Sequence, residues 1–156
     1  MGKDIERKLL VDKQLDFKQC GEPVFYCQGY LSTDEDRVVR VRLAGGKGYL
    51  TIKGRNCGAV RSEYEYEIPA VEAIEMLERM CLRPLVSKYR YRIPAGDLVW
   101  EVDVFTEENE GLVVAEIELP SEETVPLMPT WIREEVTGDP RYYNSALVKC
   151  PYSRWK

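Results

Sequence analysis

The chain has 156 residues, of which 44% are hydrophobic, 10% aromatic and 31% charged; its net charge is −5 and it contains no histidine. That is enough apolar material for one domain with a real core, and too much for a disordered segment. The acidic balance excludes a whole-protein field that would draw nucleic acid, and the missing imidazole excludes histidine triads and histidine metal ligands.

Taken in chain order, period-two alternation predicts strands near 3–11, 24–31, 37–43, 48–53, 62–68, 87–93, 98–105 and 112–119. A short helix over 12–20 fits between the first two. The segments STDED, AGGKG, PAGD and ENEG carry turn residues and read as hairpin connections. AGGKG lacks the frame of a phosphate loop. After Pro69, AVEAIEMLERMCL sets Val71, Ile74, Leu77 and Cys81 at helical spacing, which predicts a helix over 70–82 closed by Pro84. Further on, PTWIREEV and DPRYYNSALVKC predict two short helices, the second opened by Asp139-Pro140. Trp131 and Trp155 read as core or lid anchors. No apolar run reaches membrane-spanning length, and the charged N-terminus is no signal peptide. The cysteines (20, 27, 57, 81 and 150) are odd in number and lack C-x-x-C spacing, so they read as reduced thiols of a cytoplasmic protein.

The expected fold class is α+β, mainly β. Eight antiparallel strands joined by hairpins suggest a closed barrel, since closure removes the sheet edges. A barrel of that size is filled by side chains or holds one small ligand. The single domain spans 1–156.

Charge is sorted by strand. Asp4, Glu6 and Lys8 share one face of the first strand. Arg40 and Arg42 flank Val41; Thr51 and Lys53 flank Ile52; Glu63, Glu65 and Glu67 alternate with Tyr64 and Tyr66. Lys88, Arg90 and Arg92 alternate with tyrosines, Glu101 and Asp103 with valines, and Glu116 and Glu118 flank Ile117. Like charges at i and i+2 lie ~7 Å apart and repel by about 2 kcal/mol at an effective dielectric of about 20. Strands of one sign are unfavourable unless the other sign lies opposite, as it would across a lumen. The pattern alone leaves a polar tunnel and a decorated outer surface both open. In KYRYR the mixture of base and aromatic also suits RNA binding, but its cations are better explained as lining the same lumen.

DIERK followed by LLV resembles the E-x-E-x-K signature of the CYTH domain, the module of the triphosphate tunnel metalloenzymes. QGYL, RVRL, YLTIKG, EYEYEIP, KYRYRI, WEVDVF, GLVVAEIEL and PTWIREEVTGDPRYYNSAL follow in the family's order over nearly the whole chain. The length is similar to that of the compact bacterial members. The resemblance implies an eight-stranded tunnel with a polar interior that binds a small polyanion, a triphosphate or nucleoside triphosphate, with Mg²⁺ or Mn²⁺. It implies metal ligation by Asp4, Glu6, Glu116 and Glu118, and phosphate clamping by Lys8, Arg40, Arg42, Lys53, Lys88, Arg90 and Arg92. All-oxygen ligands suit those two metals. Glu63, Glu65, Glu101 and Asp103 would orient the cations or join a second metal site. Tyr30, Lys88 and Lys8 are the candidate catalytic groups. Asp4 departs from the family's Glu and is one methylene shorter, so either a water intervenes at the metal or metal preference changes. The segment 129–150 is expected as a plug or lid at one tunnel end. The expected function is hydrolysis of inorganic triphosphate to phosphate and pyrophosphate, by a monomer or homodimer without nucleic-acid or membrane partners. The alternatives are a class IV adenylate cyclase or nucleotide or thiamine triphosphatase, and a non-catalytic polyphosphate- or nucleotide-binding protein.

Overall fold

The computed structural model describes residues 3–155, the side chain of Lys18 excepted. Strands β1 (Lys3–Val11), β2 (Val24–Asp34), β3 (Arg37–Ala44), β4 (Lys47–Lys53) and β5 (Val60–Ile68) precede helix α1 (Ala70–Arg79). Strands β6 (Val86–Ala95), β7 (Leu98–Phe105), β8 (Val113–Glu118) and β9 (Ile132–Glu135) and a one-turn helix α2 (Ala146–Lys149) follow. The order around the sheet is β5-β4-β3-β2-β6-β7-β8-β1-β9, and a further β5–β1 pairing closes the first eight strands into an antiparallel ring. That closing seam is short: Lys3, Asp4 and Ile5 face Ser62, Arg61 and Val60. The eight strands foreseen from alternation are all present, with ends shifted by a few residues. Among the described residues, no helix is long and apolar enough to cross a membrane.

Along much of the ring apolar residues face outward, and other segments cover two groups of them. One cluster gathers Leu9, Val11, Trp100, Val102, Ala115 and Ile117 under Phe17, Trp131 and Ile132. The Trp100 indole N–H donates to the Leu127 carbonyl, so its polar atom is satisfied where its ring is buried. A second cluster joins Val41, Leu43 and Leu50 to α1.

Three helical expectations change. Helix α1 stops at Arg79 and buries only part of the foreseen face: Leu77, and Cys81 beyond the helix end, are buried together with Ala73, while Val71 is 69% and Ile74 39% exposed. The reason is close approach. A Cβ on Gly48 would lie 2.7 Å from the Ala73 methyl, so the helix docks where two small residues meet. PTWIREEV forms β9, not a helix. Beyond its seam with β5, β1 has a free edge, and Leu9 and Val11 pair there with Glu135 and Ile132. An unpaired ladder edge outweighs weak helical propensity. Region 12–20 holds only a 3₁₀ turn, Phe17–Cys20.

The lumen itself has two halves. Inward-facing Tyr30, Val38, Val86, Phe105 and Val114 make an apolar floor at one end, and Val136, Tyr142, Leu147 and Val148 of the C-terminal segment pack onto it. The Asp139 carboxylate accepts from the Arg141 amide and opens that segment as foreseen. Trp155 packs edge-on against Tyr142.

Candidate functional site

Above the floor lies a cavity of about 300 Å³, at the small end of ordinary ligand sites. The pleat puts every second residue of each strand into it. Asp4, Glu6, Lys8, Tyr30, Arg40, Arg42, Lys53, Glu63, Glu65, Lys88, Arg90, Arg92, Glu101, Glu116 and Glu118 all line it. Asp103 does not: it shares the lumen face of its strand, but its carboxylate is buried against Lys88 and Arg90, with which it is paired.

The cations on the two sides of the lumen are held differently. On β6 and β7, Asp103 accepts from Lys88 Nζ at 2.7 Å and from Arg90 Nε and Nη2 at 2.7 and 2.8 Å. Arg90 also reaches Glu101 and Glu116 at 3.3 Å. Lys88 further donates to Asn144 Oδ1 at 2.8 Å. These charges are buried and their hydrogen bonds filled. On β3 to β5, Arg40 and Arg42 both lean on a single Glu65 oxygen, at 3.4 and 3.2 Å. Their Nε atoms are buried with no partner among the described residues. An unfilled buried donor is costly unless a ligand completes it. Tyr26 lies under Arg42 and Arg90, with ring centroid distances of 5.0 and 4.8 Å. Arg92 is at the rim, 59% exposed, bonded to Glu101 at 2.5 Å.

The acids crowd at the seam. Burial first, then the charge of Glu6, pushes the Asp4 carboxyl up to about 8, although Lys53 pulls it down. Burial and Glu116 push Glu6 up to about 7. Asp4 shares a hydrogen bond with Glu63, and Glu6 with Glu116. Burial and the neighbouring Glu63 also raise Glu118. Burial acts upward on Glu116 too, but Lys8, Arg90 and Lys88 override it and hold its carboxylate well below the usual range. Carboxyl pairs that must share a proton are a donor set with unmet negative charge, which a divalent cation would satisfy. The four residues Asp4, Glu6, Glu116 and Glu118 therefore fit such an ion by chemistry. Among the described residues, no group of three acids is already arranged to hold a metal ion, and Lys53 lies 3.9 Å from Asp4 and 3.7 Å from Glu63.

Lys88 is lowered to about 8, by burial first, with Asp103 opposing and Arg90 adding to the effect. Lys8 behaves oppositely: burial lowers it, but Glu116 and Glu6 override and raise it. Its Nζ donates to the Tyr142 carbonyl at 3.1 Å. The Tyr30 hydroxyl accepts from Gln28, and burial raises its pKa despite the Arg40 charge.

Among the lining residues that escape the strand-by-strand reading are Arg61, Tyr26, Asn144 and Tyr143. Arg61 shares parity with Glu63 and Glu65, and Tyr26 with Tyr30, so extending the alternation by one step from Glu63 and by two from Tyr30 finds them. Asn144 and Tyr143 come from an irregular segment with no period to follow.

A CYTH domain model matches residues 2–143. The inorganic triphosphatase of Acetivibrio thermocellus is 53% identical over 156 residues, spanning 100% of this chain and 99% of that protein. The inorganic triphosphatase of Nitrosomonas europaea is 38% identical over 150 residues, spanning 93% and 96%. The crystal structure of the inorganic triphosphatase NE1496 superimposes with a TM-score of 0.63 at 35% identity, covering 95% of each chain.

Proposed function

The chain belongs to the CYTH domain family, and from that premise we propose that it hydrolyses inorganic triphosphate to phosphate and pyrophosphate inside this lumen, with a divalent cation as cofactor. The observation that supports this most directly is the pair of arginines, Arg40 and Arg42, with unfilled buried donors facing a lumen whose opposite wall carries proton-sharing acids. The relatives' names supply the substrate. Inorganic triphosphate is a chain of anionic oxygens, and Arg40 and Arg42 offer planar forks while Lys8, Lys53 and Lys88 offer point charges. Together with Arg90 and the rim residue Arg92, they neutralise the phosphoryl oxygens and hold the chain for in-line attack by water. Asp4, Glu6, Glu116 and Glu118 would hold Mg²⁺ or Mn²⁺, which supplies charge neutralisation at the reacting phosphoryl group. Tyr30, buried and raised, keeps its proton and serves as a donor. Lys88, held near 8, is the group best poised to give or take one. Asp103 orients Lys88 and Arg90, and Glu65 orients Arg40 and Arg42. The C-terminal segment, packed on the apolar floor, shuts one end of the tunnel. The protein acts in the cytoplasm, on a small polyanion.

A phosphate-release panel over inorganic triphosphate, ATP and thiamine triphosphate, each with Mg²⁺ or Mn²⁺, tests the reading. Release from triphosphate above the other two is expected, and cyclic AMP from ATP would replace it with a cyclase. Glu6→Gln should abolish metal-dependent release while circular dichroism stays unchanged; a fully active variant removes Glu6 from the metal site.

A further inference from the structure

Arg61 lies on β5 directly across the closing seam from Asp4, and its side chain lines the cavity. Among the described residues, every other cation lining that cavity has a carboxylate oxygen within 4.0 Å, and Arg61 has none. Two neutral groups hold it instead. Its Nε donates to the Gly54 carbonyl at 2.7 Å, and its guanidinium carbon sits 5.6 Å from the Tyr143 ring centroid. Lys8 Nζ sits 5.6 Å from the same ring. The two cations thus share one aromatic, and a ligand lying beside it meets both. Tyr143 and Gly54 fix where the guanidinium points without cancelling its charge. A half-buried, positioned and uncompensated cation is a ready anion contact. Cation–π stacking costs it none of its in-plane donors on the far edge.

We infer that Arg61 is a further substrate-binding residue, whose guanidinium takes a phosphoryl group of the triphosphate chain beside Lys8; this rests on the tunnel reading above. The contact joins β4–β5 to β1 across the seam, on the side of the lumen nearest the C-terminal segment. It adds to the Arg40–Arg42 pair a third arginine with donors to spare, aimed from a different strand.

Calorimetric titration with inorganic triphosphate, on wild type, R61A, R61Q, R61K and the exposed-site control R55A, decides it. Glutamine keeps an N–H for the Gly54 carbonyl and loses the charge. R61A and R61Q are expected to weaken binding about tenfold or more, R61K less, and R55A not at all. Equal affinity of R61Q and wild type overturns the inference, whatever R61A does, because the residue would then serve only the Gly54 loop. If wild type itself neither binds triphosphate nor releases phosphate from it, the tunnel reading falls and takes Arg61 with it. Wild-type binding with an unchanged R61Q sinks Arg61 alone.

Discussion

The β6–β7 wall and the β3–β5 wall carry the same kinds of residue and do opposite things with them. On β6–β7, Asp103 is 1% exposed and fully occupied by Lys88 and Arg90. On β3–β5, two arginines divide one oxygen of a half-exposed Glu65, and each keeps a donor in reserve. A saturated network fixes geometry and tunes protonation; an unsaturated one waits for a partner. Sorting the lumen by charge alone would have merged the two.

The strongest way to break this contrast is to remove each wall's acid. Asp103→Ala leaves two buried cations without their counter-charge and should cost about 3–5 kcal/mol in urea unfolding. Glu65→Ala, at a partly solvated pair, should cost about 1 kcal/mol or less. Equal losses would erase the distinction. Next in size, Arg40→Ala should raise the KM for triphosphate by about tenfold or more with little change in stability, as the proposed binding role of its spare donors requires. Arg92→Ala, at the solvated rim, should raise KM least among the clamping cations, by less than about threefold, and an effect as large as that of Arg40→Ala would make the rim an equal partner in binding.

A smaller effect sharpens the acid side. Asp4 and Glu6 are held near 8 and 7, against ordinary values of 3.8 and 4.5. The folded chain therefore binds more protons than the unfolded chain between about 4 and about 8, and these groups withdraw stability as pH rises through that window. A divalent cation relieves that repulsion only once the protons have left. Mn²⁺ should accordingly raise the thermal midpoint more at pH 8 than at pH 5. A shift equal at both values would separate the cation from these acids.

Much of this was legible because a strand's period is two. One inward residue assigned from a resemblance fixes its neighbours at i±2, and so Glu63 and Glu65, or Arg40 and Arg42, came as pairs. What escaped depended on distance along the chain. Asn144 meets Lys88 through the return of the C-terminal segment, and β9 exists because β5 leaves half of β1 uncovered. The apolar floor escaped for a related reason: Tyr30, Val38, Val86, Phe105 and Val114 each end or begin an otherwise polar row, and only ring closure assembles them. Asp103 shows the limit of parity, which gives a face but not a depth.

The ring is fastened by three residue pairs between β1 and β5, and both sides of that fastening carry site residues. Whatever polyanion sits against Lys8 and Arg61 therefore doubles as a clasp, and occupancy should slow the exchange of the Lys3 to Ile5 amides even though it touches none of them.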